Sequence, residues 1–95
     1  MINTEFKSQY VIVLVCLRNH IKYGLELGEE VFYKTYYENI DEQTFVEDIN
    51  KATIFDSLYD VKAIAKRVKN RGDFEPKIYD INRNIGANIY IDFKL

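Results

Sequence analysis

The residues best suited by type to covalent or metal chemistry are Cys16 and His20, the only cysteine and the only histidine, four positions apart. A reactive thiol needs a basic, partly open setting that stabilises the thiolate. Cys16 instead lies in the apolar run Val11-Ile12-Val13-Leu14-Val15-Cys16-Leu17. That context reads as a buried, inert thiol, with His20 a surface histidine at the turn that follows. Zinc is held by several histidines, thiolates or carboxylates together, and one of each of the first two leaves few ligands. No metal and no cofactor is expected.

Carboxylates are the abundant reactive group, in the adjacent pairs Glu29-Glu30, Asp41-Glu42 and Glu47-Asp48. An acid–base pair requires one carboxyl to be desolvated so that its pKa rises, and acids adjacent in polar loops read as solvated. Residues 41–52 lack the alternating ligands, central glycine and final glutamate of a calcium loop. Gly24 and Gly28 are four apart, but neither the Lys-Ser/Thr pair nor the helix start of a phosphate loop follows. A Gly-x-Ser-x-Gly elbow is also missing from the sequence. The expectation is a protein that is not an enzyme.

Residues 1–9 are polar and read as loose at the start. Tyr10–Arg18 is dense in β-branched side chains and reads as a strand buried on both faces, a buried helix being the competing reading. Over 21–37, Ile21, Tyr23, Leu25 and Leu27 alternate with Lys22, Gly24 and Glu26, Gly28-Glu29-Glu30 offers a turn, and Val31–Tyr37 favours extension. This pattern predicts a hairpin, with a helix through Glu29–Asn39 as the alternative. Residues 38–50 read as an acidic loop anchored at Phe45-Val46, and Ala52-Thr53-Ile54-Phe55 as a short strand.

The best-specified element is a helix over 57–71. Asp56 or Ser57 caps its N-terminus, and Leu58, Val61, Ile64, Ala65 and Val68 form one apolar stripe. Asp60 in the first turn and Lys69 and Arg71 in the last suit the helix dipole, and Gly72 supplies a left-handed stop. Residues 77–83 and 88–93 read as a second hairpin around Asn84-Ile85-Gly86, with Ile89, Ile91 and Phe93 on one face. Pro76 fits the first residue of an edge strand. The fold class that follows is α+β: one domain over 1–95, an antiparallel sheet of four to five strands with one main helix at about 57–71 packed on one face.

The 95 residues carry a net charge of −2, but unevenly. Residues 24–50 hold eight acids and one base, whereas residues 51–77 hold seven bases and four acids. Solvated faces that partly neutralise each other are the simpler reading. The sharper one is an acidic, tyrosine-bearing surface made by Glu26, Glu29, Glu30, Tyr33, Tyr36, Tyr37, Asp41, Glu42, Glu47 and Asp48, which docks on a basic protein groove of the kind that holds nucleic acid. Half of these tyrosines face the core if their segment is a strand. In the opposite sense, Lys62, Lys66 and Lys69 line one face of the helix, with Arg67 and Arg71 nearby, and suit phosphates. A second helix for a helix-turn-helix is not predicted, and a pI near 5.4 argues against a dedicated nucleic-acid binder. A second copy of the chain is a further candidate partner, since one chain carries both charges and edge strands can pair.

The longest apolar run, Tyr10 to Leu17, is too short to span a bilayer as a helix. Arg18-Asn19-His20 follows it in place of a signal-peptide cleavage site. A lone cysteine fits a reducing compartment, so the expected location is the cytoplasm. The chain is rich in Ile, Lys, Asn, Tyr and Phe and poor in Gly, Ala, Arg and Pro, which points to an AT-rich genome. Ala52-Thr53-Ile54-Phe55-Asp56 leading into a helix with Ala63 and Ala65, together with the strand opening Tyr10-Val11-Ile12, resembles a pattern in small phage and prophage proteins of AT-rich Gram-positive bacteria. The resemblance covers residues 10–17 and 52–68 and carries no catalytic residues. It implies an accessory role, some such proteins inhibiting host proteins, in the cytoplasm of a bacterial host. The acidic insert at 38–50 departs from the pattern.

Overall fold

In the computed structural model, residues 8–35, 45–81 and 90–91 are described. In chain order the elements are β1 (Tyr10–Cys16), β2 (Glu30–Tyr33), β3 (Phe45–Val46), α1 (Leu58–Arg71), β4 (Phe74–Asp80) and β5 (Tyr90–Ile91), with 3-10 turns at Ile21–Tyr23 and Ile49–Lys51. The strands form one sheet in the order β3-β2-β1-β4-β5, every neighbouring pair antiparallel. The architecture is α+β, one helix packing against an antiparallel sheet.

The density of β-branched residues in β1 is explained by its central place. Ile12, Leu14 and Cys16 face the helix and join Val31, Val61, Ala65, Phe74 and Ile78 in the main core. On the opposite face Val11 and Val13 pack with Ala52 and Tyr79, flanked by Phe32, Val46, Ile49 and Ile81. A strand covered on both faces shows no alternation of apolar and polar residues. Each fully buried aliphatic side chain of this kind stabilises the fold by about 1.5–3 kcal/mol.

The helix forms as its sequence predicts. Ser57 Oγ accepts a hydrogen bond from Asp60 N–H at 3.3 Å. Gly72 takes the left-handed conformation, φ 80°, and donates its N–H to Lys69 O. Val61 and Ala65 are fully buried, and Leu58, Ile64 and Val68 are half-buried against the same core. The two-residue link Gly72-Asp73 turns the chain straight back into β4, so α1 lies over β4 and β1.

The hairpin expected at 21–37 is displaced. Its first arm is not a strand running from Ile21: the partner of β2 is β1, with Val13 opposite Phe32 and Val15 opposite Glu30. The same register continues to the bridge between His20 and Leu25, so Ile21–Gly24 is the tip. There His20 N–H donates to Leu25 O at 2.7 Å, Leu25 N–H returns a bond to His20 O at 3.1 Å, and Tyr23 N–H also donates to His20 O. Gly24, at φ 67°, makes the left-handed residue that closes such a four-residue loop. The alternating pattern of 21–27 is therefore a turn, a single bridge residue at Leu25 and the start of a second turn, and it leaves Ile21 97% exposed. Helix is absent from the described part of Glu29–Asn39, where β2 lies.

Three smaller expectations also change. Phe45-Val46 is the edge strand β3 rather than a loop anchor, followed by the 3-10 turn at Ile49–Lys51. Ala52–Phe55 is not a strand; Thr53 N–H bonds Tyr33 O, and Phe55 exchanges two backbone bonds with Tyr10. Pro76 is not the first residue of an edge strand but the third residue of β4, opposite Leu14. Leu17 N–H donates to Asp73 O and Ile81 N–H to Gln9 O, so the odd-numbered residues of β4 turn their amides toward β1. An amide at Pro76 would point the other way, toward β5, whose pairing covers Ile78 and Tyr79. The missing N–H thus costs the β1–β4 ladder nothing. The C-terminal pairing of Ile78 with Ile91 agrees with the expected second hairpin, whose turn at 84–86 and residues Ile89 and Phe93 lie outside the described residues. No helix among the described residues is long and apolar enough to cross a membrane.

Candidate docking surface

The end of the hairpin beyond β1 and β2, residues 17–29, forms an arm that carries three of the exposed large apolar side chains, Leu17, Ile21 and Leu27. Arg18 holds the arm to the rest of the molecule by pairing with Asp73 in the link between α1 and β4. His20 is placed beside the same carboxylate, its Nε2 3.9 Å from Asp73 Oδ1. The imidazole stacks on Phe74, with ring centroids 6.0 Å apart, and is tilted against Tyr23 at 5.7 Å. With a side chain only 12% exposed, His20 is a packed residue at the turn, not the surface histidine expected. Cys16 is buried, and its Sγ donates to Arg18 O at 2.8 Å. The thiol is therefore directed to a backbone carbonyl.

Beyond this anchored base, apolar side chains reach solvent. Leu17 is 46%, Leu27 66% and Ile21 97% exposed. Leu25 alone among the arm's aliphatics turns inward, at 5%. An open concavity of about 660 Å³ at the tip is lined by Asn19, His20, Ile21, Gly24, Leu25 and Glu26. Among the described residues no group of three or more His, Cys, Asp or Glu is placed to hold a metal ion.

Of the acidic surface expected from sequence, the arm carries Glu26 and Glu29, and β2 begins with Glu30; all three are exposed. Glu26 N–H donates to Glu29 Oε2 at 3.2 Å and Glu29 N–H to Glu26 O at 3.0 Å, which holds this turn closed. Asn19 Oδ1 accepts from Leu27 N–H at 2.8 Å and ties the two sides of the arm together. Glu47 and Asp48 are exposed after β3, and Asp48 Oδ1 caps the following 3-10 turn by accepting from Asn50 N–H at 2.9 Å. Glu26, Glu29, Glu47 and Asp48 make no ion pair among the described residues. Tyr33 does not belong to this surface. It is half-buried, packs on the helix-side core and lies 6.1 Å from the Phe55 ring. In β2, Val31 and Tyr33 share the helix side and Phe32 the other, and this parity decides which aromatic faces in. Tyr36, Tyr37, Asp41 and Glu42 lie outside the described residues.

On the opposite charge, Lys62, Lys66, Arg67, Lys69 and Arg71 are exposed along α1, with Tyr59 82% exposed. Lys69 Nζ lies 3.6 Å from Glu75 Oε1. Sequence reasoning missed the apolar part of the arm because Ile21 and Leu27 were placed on a strand with the core-facing Leu25. The available signal was Gly24 within His20-Ile21-Lys22-Tyr23-Gly24-Leu25, which suits a four-residue loop with a left-handed last position. Scans against protein-family models, curated proteins and solved structures find no match to this chain.

Proposed function

We propose that this chain is a non-enzymatic accessory protein of a phage or mobile element that binds, and by occupancy inhibits, a host protein in the bacterial cytoplasm. The observation that supports this most is the arm itself. Three large aliphatic side chains stand in solvent on a short, hydrogen-bonded hairpin end, beside the exposed carboxylates of Glu26 and Glu29, which make no ion pair among the described residues. Apolar side chains surrounded by polar groups are how protein interfaces are built. The carboxylates favour a partner with a basic face, such as a nucleic-acid-binding groove, by steering its approach. Relative to the sequence reading, Ile21 and Leu27 join Glu26, Glu29 and Glu30 on the surface and Tyr33 turns toward the core.

The test is affinity capture from host lysate with the wild-type chain and with Ile21→Asp/Leu27→Asp, which leaves the buried residues untouched. A protein captured by the wild type and lost with the variant supports the reading. The same protein captured equally by both contradicts it. The alternative, a nucleic-acid-binding regulator using α1, is favoured by the exposed Tyr59 on the basic side of the helix but weakened by the Lys69–Glu75 pair. A mobility shift at low salt that disappears on Lys62→Ala/Lys66→Ala would support it.

A further inference from the structure

We propose that a second copy of this chain also fits the arm: two molecules associate with the arm of each lying on the solvent side of the other's α1. The proposal rests on the reading of the arm as a docking surface and names one partner for it. Its basis is a mismatch between charge and reach within one molecule. The exposed acids Glu26 and Glu29 belong to the arm, and the exposed bases Lys66 and Arg67 to α1. Val61 and Ala65 pin α1 to the sheet, which puts Lys66 and Arg67 on the side of the helix turned away from it. Neither set takes part in the ion pairs of Arg18 with Asp73 and of Lys69 with Glu75. The two sets of opposite sign are left to meet between molecules.

The apolar parts match in the same way. Ile21 and Leu27 project from the arm, while Tyr59, 82% exposed, and the exposed Ala63 lie on the solvent side of α1. Tyrosine gives a flat amphipathic contact of the kind that anchors interfaces. A net charge of −2 on the whole chain adds little repulsion between copies. Arm-on-helix contact joins unlike surfaces, and a twofold axis lets it form twice and leave no arm uncovered.

Sedimentation velocity over a wide range of protein concentration tests this. At low salt the wild-type chain is expected to shift from monomer to dimer as concentration rises. At about 1 M salt, where the screening length is about 3 Å, the shift is expected to weaken. Glu26→Lys/Glu29→Lys and Lys66→Glu/Arg67→Glu should each associate roughly tenfold more weakly, since exposed pairs are lost and repulsion replaces them. Mixing these two variants should restore the dimer, because each arm then meets a helix of opposite sign. A chain that is monomeric at every concentration at low salt overturns the proposal. So does association indifferent to both reversals, a mixture that fails to restore it, or a chain that binds nucleic acid through Lys66 and Arg67 without self-associating. A strictly monomeric chain whose arm variant still loses its lysate partner overturns this inference alone and leaves the proposed function standing.

Discussion

Ile12 and Ile21 carry the same side chain at opposite extremes of exposure, 0% and 97%, and their replacement by alanine separates the observed fold from the one the alternation suggests. Ile→Ala removes three carbons. At Ile12, between β2 and β4 and facing α1, those carbons are worth about 0.8 kcal/mol each in transfer alone, or roughly 2.4 kcal/mol. The cavity left behind brings the expected loss into the range of about 2–5 kcal/mol. At Ile21 the same carbons are in water in both folded and unfolded chains, so the change should stay within about 0.5 kcal/mol. Urea denaturation reads both. With a slope of about 1.5 kcal/mol/M, a 3 kcal/mol loss lowers the midpoint by about 2 M. Ile21→Ala should leave midpoint and slope where they are. A midpoint drop for Ile21→Ala comparable to that for Ile12→Ala would refute the reasoning, since it would place Ile21 on a core-facing strand and remove the exposed arm.

Other outcomes follow from particular contacts. Gly24→Ala forces a side chain into φ 67° and should destabilise by about 1–2 kcal/mol, measured by the same urea titration. Ser57→Ala removes the bond to Asp60 N–H and should cost about 0.5–2 kcal/mol, seen as a lower thermal midpoint. Cys16 is 1% exposed, so a thiol reagent such as Ellman's should label it slowly in the native protein and promptly in denaturant. Prompt native labelling would mean that the base of the arm opens.

What was legible in the sequence depended on whether local chemistry decided the outcome. Ser57 and Gly72 each satisfy helix-end groups without help from the rest of the chain, so α1 could be placed to within a residue. The β-branched run of β1 likewise reports that both of its faces are covered. The arm was illegible for the opposite reason. Leu25 and Leu27 are equivalent by alternation, yet the turn between Glu26 and Glu29 breaks the pattern, and only Leu25 reaches the core. Tyr33 shows the same limit, because strand pairing rather than composition decides which face of β2 meets the helix. The acids of the arm and of the turn after β3 were easier to place in solvent, since a charged carboxylate is costly to bury; Glu26, Glu29, Glu30, Glu47 and Asp48 are exposed.

The most direct test of the central claim is the affinity of the captured host protein, purified, for the wild-type chain and for Ile21→Asp/Leu27→Asp, with the variant's urea midpoint measured alongside. If the arm is the docking surface, the variant keeps its midpoint and binds about thirtyfold more weakly or worse, as expected when an interface anchor worth about 2 kcal/mol or more is lost. An unchanged affinity at an unchanged midpoint would contradict the account and move the binding surface away from residues 17–30.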